Sequence, residues 1–188
     1  MRTYLAMLCL VVGSVFIDQA TKNQATEHLL LWENELDTRD YHSKRVLVWS
    51  SADETYNSNE SNFFLSFSFN YVRNQGAAWG ILSDLDDSIR DPFFFAVTFL
   101  AVIVIMLYFR STPSHHYLIR FALTLILSGA IGNFLDRIKQ GYVVDFLDFR
   151  WMIPLPFESF PAWQYAFPNF NWADSMITIG VICLMFDM

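Results

Sequence analysis

Pro92–Phe109 reads PFFFAVTFLAVIVIMLYF, 18 residues without a charge. A helix that crosses a bilayer needs about 20 mostly apolar residues, with about 17 at the lower end. This stretch therefore makes the chain a membrane-protein candidate, and three more stretches follow from it. Tyr117–Leu135 is the next candidate, with Arg120 near its start. Tyr4–Ile17 reaches spanning length only with its flanks, and Trp172–Phe186 is short, with Asp174 near its start. Short spans can be accommodated by local bilayer thinning. The expected fold is an α-helical membrane protein with four transmembrane helices. The composition agrees: 54% of the 188 residues are hydrophobic, 18% are aromatic, and mean hydropathy is +0.28.

Arg2 ahead of the first apolar run would also suit a cleaved secretory signal. No small-x-small cleavage site follows, because Lys22 occupies the position three residues before Ala25. A lipoprotein signal does not fit either, since bulky Leu8 immediately precedes Cys9. A retained helix is the better reading.

Orientation follows the basic residues, which favour the cytoplasmic side. Arg2 precedes the first span, and Arg110 and Arg120 bracket the loop between the second and third. Both sites belong inside, so both termini are expected in the cytoplasm. Segments 23–91 and 139–170 then face outward, the second as an outer loop. Segment 23–91 holds twelve acidic and five basic residues, most of the net charge of −7. Nucleic acid, which needs a basic patch, is not an expected partner. Cys9 and Cys183 fall inside spans and indicate no disulfide framework. The sequence ends on Phe186-Asp187-Met188 at the inner end of the last expected span.

The outer segments carry strand signals. From Asn62 to Tyr71, Phe63, Leu65, Phe67, Phe69 and Tyr71 alternate with Phe64, Ser66, Ser68 and Asn70. That period-2 pattern predicts a half-buried strand. Arg45–Trp49, RVLVW, is a second strand candidate, and the polar run between them reads as a turn or loop. A small extracytoplasmic β-sheet on the membrane surface fits. Segment 150–170 carries four prolines, which exclude one long helix.

Ionisable residues at membrane depth are costly and mark functional candidates. Asp18 and Lys22 stand at the end of the first span, Asp136 and Arg137 at the end of the third, Asp145 after it, and Asp174 at the start of the fourth. In the orientation above, all lie in one outward layer. Asn133 and Arg137 share a helix face, as do Asp18 and Lys22. Asn171 and Asp174 have the spacing of a capping box, so Asp174 could be a helix-start residue and nothing more. Gly129 and Gly132 in GAIGN suit close helix packing.

The available chemistry narrows to carboxylates. There is no H-E-x-x-H pattern, no His near the polar layer and no Gly-rich phosphate loop. Two aspartates that share a proton can activate water. Membrane carboxylates also serve proton or cation relays in transporters. A relay needs polar groups at several depths, and the second and fourth spans carry almost none in their middles. A scaffold with a structural polar layer is a third reading, disfavoured by the number of acidic residues at one depth.

Five stretches, DQATK (Asp18–Lys22), YVRNQGAAWGIL (Tyr71–Leu82), GAIGNFLDR (Gly129–Arg137), GYVVDFLDF (Gly141–Phe149) and FPNFNWADS (Phe167–Ser175), resemble bacterial lipoprotein signal peptidase, signal peptidase II. They occur in the family's order and cover both ends of the chain. The resemblance implies one membrane-embedded peptidase domain over 1–188, in the bacterial inner membrane, with its active site near the periplasmic face. It implies an aspartic endopeptidase that cleaves diacylglyceryl-modified prolipoproteins just before the lipidated cysteine, in contact with membrane lipid. Asp145 and Asp174 match the catalytic pair. Asp18, Asn74, Asn133, Arg137 and Asn171 match polar residues lining the site, with substrate-binding roles. The sheet matches a substrate cradle. No metal and no cofactor is implied, and a monomer is expected. Asp148 has no catalytic counterpart and is expected to be solvated or interfacial; Asp136 is expected to be structural, an ion-pair partner. Segments 23–70 and 150–167 are longer than the family pattern leads one to expect.

Overall fold

The computed structural model describes residues 2–34, 37–51, 64–76, 82, 86–153 and 163–186. Most of the polar run expected to form a loop, 52–61 of 50–61, the first two residues of the expected strand, 62–63, and the 77–81 stretch of the Tyr71–Leu82 motif lie outside the described residues. Four helices and six strands follow in the order α1 (Arg2–Leu29), β1 (Leu30–Asn34), β2 (Asp37–Ser43), β3 (Val46–Ser50), β4 (Phe64–Asn74), α2 (Asp87–Ser111), α3 (Tyr117–Gln140), β5 (Val143–Ile153), β6 (Trp163–Ala166) and α4 (Trp172–Phe186). They fall into two compact units. One is helical, built from Met1–Asn23, Asn74–Val144 and Asn171–Met188. The other, Gln24–Arg73 with Asp145–Phe170, carries most of the strands.

Among the described residues, three helical segments are long and apolar enough to cross a membrane: Tyr4–Leu29, Ser88–Ser111 and Tyr117–Gln140. The α4 helix is apolar but has only 15 residues, about 22 Å at 1.5 Å per residue. The first helix corrects the sequence reading. It does not stop near Ile17 but runs on to Leu29, so Asp18 and Lys22 lie well inside it. The reason is its stripe. Met7, Val11, Ser14, Asp18, Lys22, Ala25 and Leu29 recur at three- and four-residue spacing and are all buried. Such spacing is one helix face, and the polar members of that face find partners on other helices.

The helical unit packs around Met7, Val11, Ile105, Phe109, Leu123 and Leu127, with Leu184 of α4 against them. The outer faces of these helices remain apolar and open, as at Phe16, Phe99 and Leu107. In water such surface would be a liability; against lipid tails it is the ordinary outer face of a span. Close approach of α3 and α4 depends on glycine, as the sequence indicated. A Cβ on Gly129 would stand 2.3 Å from the Ala173 carbonyl oxygen, and one on Gly180 would stand 2.7 Å from that of Ala122. The α3 helix ends at Gly141, in the left-handed region at φ 78°, with its N–H on the Arg137 carbonyl at 3.0 Å. Glycine adopts that conformation without a side-chain clash.

In the other unit β1 and β2 form an antiparallel pair, and β3-β4-β5-β6 form a four-stranded sheet. The two strands predicted from sequence are β3 and β4. They pair antiparallel, with Val46 opposite Phe69 and Ser50 opposite Ser66. The alternation of β4 is real, but over 65–69 its serine face is the buried one: Ser66 and Ser68 are enclosed while Phe69 is exposed, and beyond them Tyr71 is buried. The reason is Asp148 of β5, which is 0% exposed. Its carboxylate accepts from Ser68 Oγ at 3.3 Å and from Arg150 Nε at 2.9 Å, and pairs with Arg45 Nε at 3.0 Å. The expectation of a solvated or interfacial Asp148 is therefore corrected: it is buried within the sheet unit. Two guanidinium groups and a hydroxyl replace the water that a buried carboxylate loses. At the other end of β4, Arg73 pairs with Glu33 of β1, its guanidinium lies 4.9 Å from the Tyr41 ring, and Ser43 Oγ donates to the Tyr71 carbonyl at 3.1 Å. These contacts fasten the β1–β2 pair to the sheet.

Candidate active site

The polar layer of the helical unit is assembled by three helices that are distant in sequence. The α4 helix opens with the reciprocal cap that its sequence announced. Asn171 Oδ1 accepts from the Asp174 N–H at 3.0 Å, and Asp174 Oδ2 accepts from the Asn171 N–H at 3.1 Å. Each satisfies a helix-start donor that has no partner inside the helix. A third donor, the Ala173 N–H, is bound at 3.0 Å by Asp18 Oδ1, which comes from α1.

Asp174 is half-buried, and capping is not its whole environment. Its Oδ1 accepts from Asn133 Nδ2 of α3 at 2.8 Å. The Asn133 amide is oriented from its other side, where Oδ1 accepts from Lys22 Nζ at 2.9 Å and from Asn171 Nδ2 at 3.2 Å. Lys22 is 3% exposed. Its ammonium also lies 2.9 Å from Asp18 Oδ2 and 2.9 Å from Asp136 Oδ2. Asp136 is thus an ion-pair partner, as expected. It also accepts from Gln19 Nε2 at 2.7 Å and from the Val144 N–H at 3.2 Å.

Arg137 and Asn74 meet through the backbone of Gly76. Arg137 Nη2 donates to the Gly76 carbonyl at 2.8 Å, and Asn74 Oδ1 accepts from the Gly76 N–H at 3.0 Å. The guanidinium also lies over Phe94, 4.4 Å from the ring centre. Arg137 Nη1 reaches the Asn133 carbonyl at 3.4 Å, consistent with their shared helix face.

Within the helical unit, then, Asp18, Asn133, Asn171 and Asp174 form one connected set, and Arg137 and Asn74 form a second one that joins it at Asn133. Asp145 belongs to the other unit. It is 2% exposed, on β5, and follows directly on Val144. Beyond it, the Phe146 and Leu147 N–H groups donate to the Phe170 carbonyl, the latter at 2.8 Å. Lys22 and Asp136 stand among the ionisable residues of the sequence but match none of the family's site residues. Their signal in the sequence is the i, i+4 pair with Asp18 and the adjacency to Arg137.

Such a layer can do acid–base work. It offers carboxylates, amides and cations but no nucleophile–histidine pair, since the His side chains lie elsewhere: His28 bonds Gln24, His42 is on β2, and His115 stacks on His116.

Comparison with known proteins identifies the family. The family model for Signal peptidase (SPase) II matches residues 10–188. The lipoprotein signal peptidase of Geobacter sulfurreducens is 37% identical over 186 residues, covering 99% of this chain and 92% of that protein. That of Clostridium tetani is 30% identical over 178 residues, with 95% and 88% coverage. That of Anaeromyxobacter sp. is 40% identical over 119 residues, so that the match takes in 62% of this chain and about half, 51%, of that protein. Among solved structures, a bacterial membrane enzyme at 2.3 Å resolution superposes with a TM-score of 0.64 at 27% identity, covering 97% of this chain and 86% of the other. A second, at 1.9 Å, gives 0.60 at 27% identity, with 97% and 91% coverage. A match over residues 10–188, with near full-length relatives at 30% identity or more, means that this chain belongs to the signal peptidase II family.

Proposed function

We propose that the chain removes the signal peptide from diacylglyceryl-modified prolipoproteins, cutting just before the lipidated cysteine, with Asp145 and Asp174 as its catalytic pair. The observation that carries the reading is Asp174. It stands at the mouth of an apolar helix with both oxygens engaged by amide donors, Asn133 on one and Asn171 on the other. A carboxylate held in this way is oriented, and an oriented carboxylate is what general acid–base chemistry requires. The relatives named above are lipoprotein signal peptidases, which favours this reading over a transporter relay.

The chemistry needs no covalent intermediate. One aspartate is ionised and the other protonated. The ionised carboxylate removes a proton from a water molecule as its oxygen attacks the carbonyl carbon before the cysteine. The protonated partner donates a hydrogen bond to the developing oxyanion. Collapse of the tetrahedral species breaks the C–N bond, and a proton passes to the leaving nitrogen. Asp18, Asn74, Asn133, Arg137 and Asn171 line the substrate's path, with Arg137 and the asparagines holding its backbone extended. The sheet of β3 to β6 serves as the cradle.

The topology belongs to the same proposal. The chain forms one membrane-embedded peptidase domain with four spans, α4 being the shortest. Both termini face the cytoplasm, while 23–91 and 139–170 lie outside the inner membrane, with the active site near the periplasmic face. Arg2, Arg110 and Arg120 support this through the positive-inside tendency. The enzyme works as a monomer, on a lipid-anchored substrate in the bilayer.

The test is incubation of the purified protein with a diacylated prolipoprotein, alongside Asp145→Asn and Asp174→Asn. The wild type is expected to cleave just before the cysteine, and each variant is expected to lose cleavage while staying folded. Asparagine keeps the size and stays compatible with a helix start, so a silent Asp174→Asn would reduce Asp174 to a capping residue and remove the aspartyl mechanism.

A further inference from the structure

Lys22 lies where two chains of contacts meet, and each leads toward one of the proposed catalytic aspartates. The first runs through Asn133. Lys22 Nζ donates to Asn133 Oδ1 at 2.9 Å, which fixes the way round that the amide sits. Were the amide turned over, its NH2 would face the ammonium and its oxygen would face the Asp174 carboxylate. Both contacts would then be repulsive. With the amide as it is, Nδ2 points at Asp174 Oδ1 at 2.8 Å. The second chain runs through Asp136. The ammonium holds Asp136 Oδ2 at 2.9 Å, and the same oxygen accepts from the Val144 N–H at 3.2 Å. Val144 is the residue before Asp145.

An ammonium at this depth is costly unless it is paired. Asp18 and Asp136 pair it, and on charge alone either would serve. The Asn133 contact adds nothing to charge balance, and its geometric consequence is the donor delivered to Asp174. Arginine would present a wider planar fork rather than a point charge with three converging donors.

We propose that Lys22 is a positioning residue for catalysis, setting the Asn133 amide that orients Asp174 and the Asp136 carboxylate that anchors the strand entering Asp145. This rests on the assignment of Asp145 and Asp174 as the catalytic pair. Lys22 does not touch substrate; it acts through its neighbours, so its removal should lower kcat with little change in KM.

The test compares Lys22→Met and Lys22→Gln with wild type, in the full-length protein in detergent, with a diacylated prolipoprotein as substrate. Both variants are made again in an Asn133→Ala background, and thermal melts are recorded for all. The expected result is a loss in kcat of roughly tenfold to a hundredfold for Lys22→Met, a shift of about 1.4 to 2.7 kcal/mol in activation free energy. KM should stay within about threefold of wild type. In the Asn133→Ala background the same change should cost clearly less than in wild type, because only the arm through Asp136 is left to lose. Gln retains a donor and should recover part of kcat. Full activity in a folded Lys22→Met, equal losses in both backgrounds, or failure of both Lys22 variants to fold would each overturn the assignment. Asp174→Asn, run alongside, separates the two layers of the argument. If it is active, the catalytic pair itself is wrong; if it is inactive while Lys22→Met is normal, only the role of Lys22 falls.

Discussion

Gly132 of α3 makes the space that Asp18 of α1 occupies. A methyl group at Gly132 would stand 2.6 Å from Asp18 Oδ2 and 3.2 Å from the Ala173 methyl. The carboxylate cannot yield easily, because Lys22 and the Ala173 N–H hold its two oxygens. Gly132→Ala should therefore destabilise the protein by about 1–3 kcal/mol, the usual cost of overpacking. It should also impair cleavage, since α4 would have to move. Gly13 is the control, with nothing within 4 Å of its Cβ position. A thermal melt and a cleavage assay on Gly132→Ala and Gly13→Ala check this, and the Gly13 variant should match wild type.

Asp148→Asn should lower stability. The carboxylate is fully enclosed, whereas Arg45 and Arg150 remain partly open to solvent, at 37% and 42%. The variant strands no buried cation, so the loss is that of charge-assisted hydrogen bonds, about 1–3 kcal/mol. The melting temperature should fall, and Arg45→Gln should cost less than Asp148→Asn because its partner keeps Arg150. An unchanged melt for Asp148→Asn would mean that the network contributes nothing.

Arg137→Ala should cut catalytic efficiency by roughly tenfold to a hundredfold, the equivalent of a charged hydrogen bond worth about 1.5–3 kcal/mol. Arg137→Lys should recover only part of it, because a lysine cannot reproduce a guanidinium both stacked on Phe94 and bonded to the Gly76 carbonyl. Steady-state kinetics on both variants decide the point, provided each folds.

The start of α2 should respond to acid. The Ser88 hydroxyl and N–H donate to Asp86 Oδ1 at 2.6 and 2.9 Å, and the hydroxyl contact above all holds the Asp86 carboxyl below its ordinary value. A depressed carboxyl favours the folded helix start at pH above its unfolded value of about 3.9, and this is lost as pH falls through the folded value. The protection of the Ser88 to Arg90 amides, taken relative to their intrinsic exchange rate at each pH, should therefore fall below about pH 4. Asp86→Ala should remove the pH response.

Topology can be read with single cysteines placed at Lys44 and at Ser114, both exposed, in a protein lacking Cys9 and Cys183. An impermeant thiol reagent added to intact spheroplasts should label the first and spare the second. The reverse pattern would invert the orientation and with it the periplasmic site.

Much of this protein is set by interactions between residues close together in the chain. The apolar runs of α2 and α3, the cap formed by Asn171 and Asp174, the glycine stop at Gly141 and the alternation of β4 all depend on neighbours within about one turn or one pleat. They can be read without knowing what lies across from them. Tertiary structure decided where the charges go. Asp18 and Lys22 look like the end of a span because local hydropathy falls there. The helix continues because Asn133, 111 positions away, and Asp136 receive the ammonium. Asp148 looks like a surface residue because nothing near it in sequence except Arg150 pairs with it; Ser68 and Arg45, on other parts of the sheet, make its burial tolerable. Helical periodicity and capping are local, so the sequence determines them. The solvation of a charge is supplied by whatever folds against it, so only the assembled helices and sheet could decide which acids are buried and what holds them.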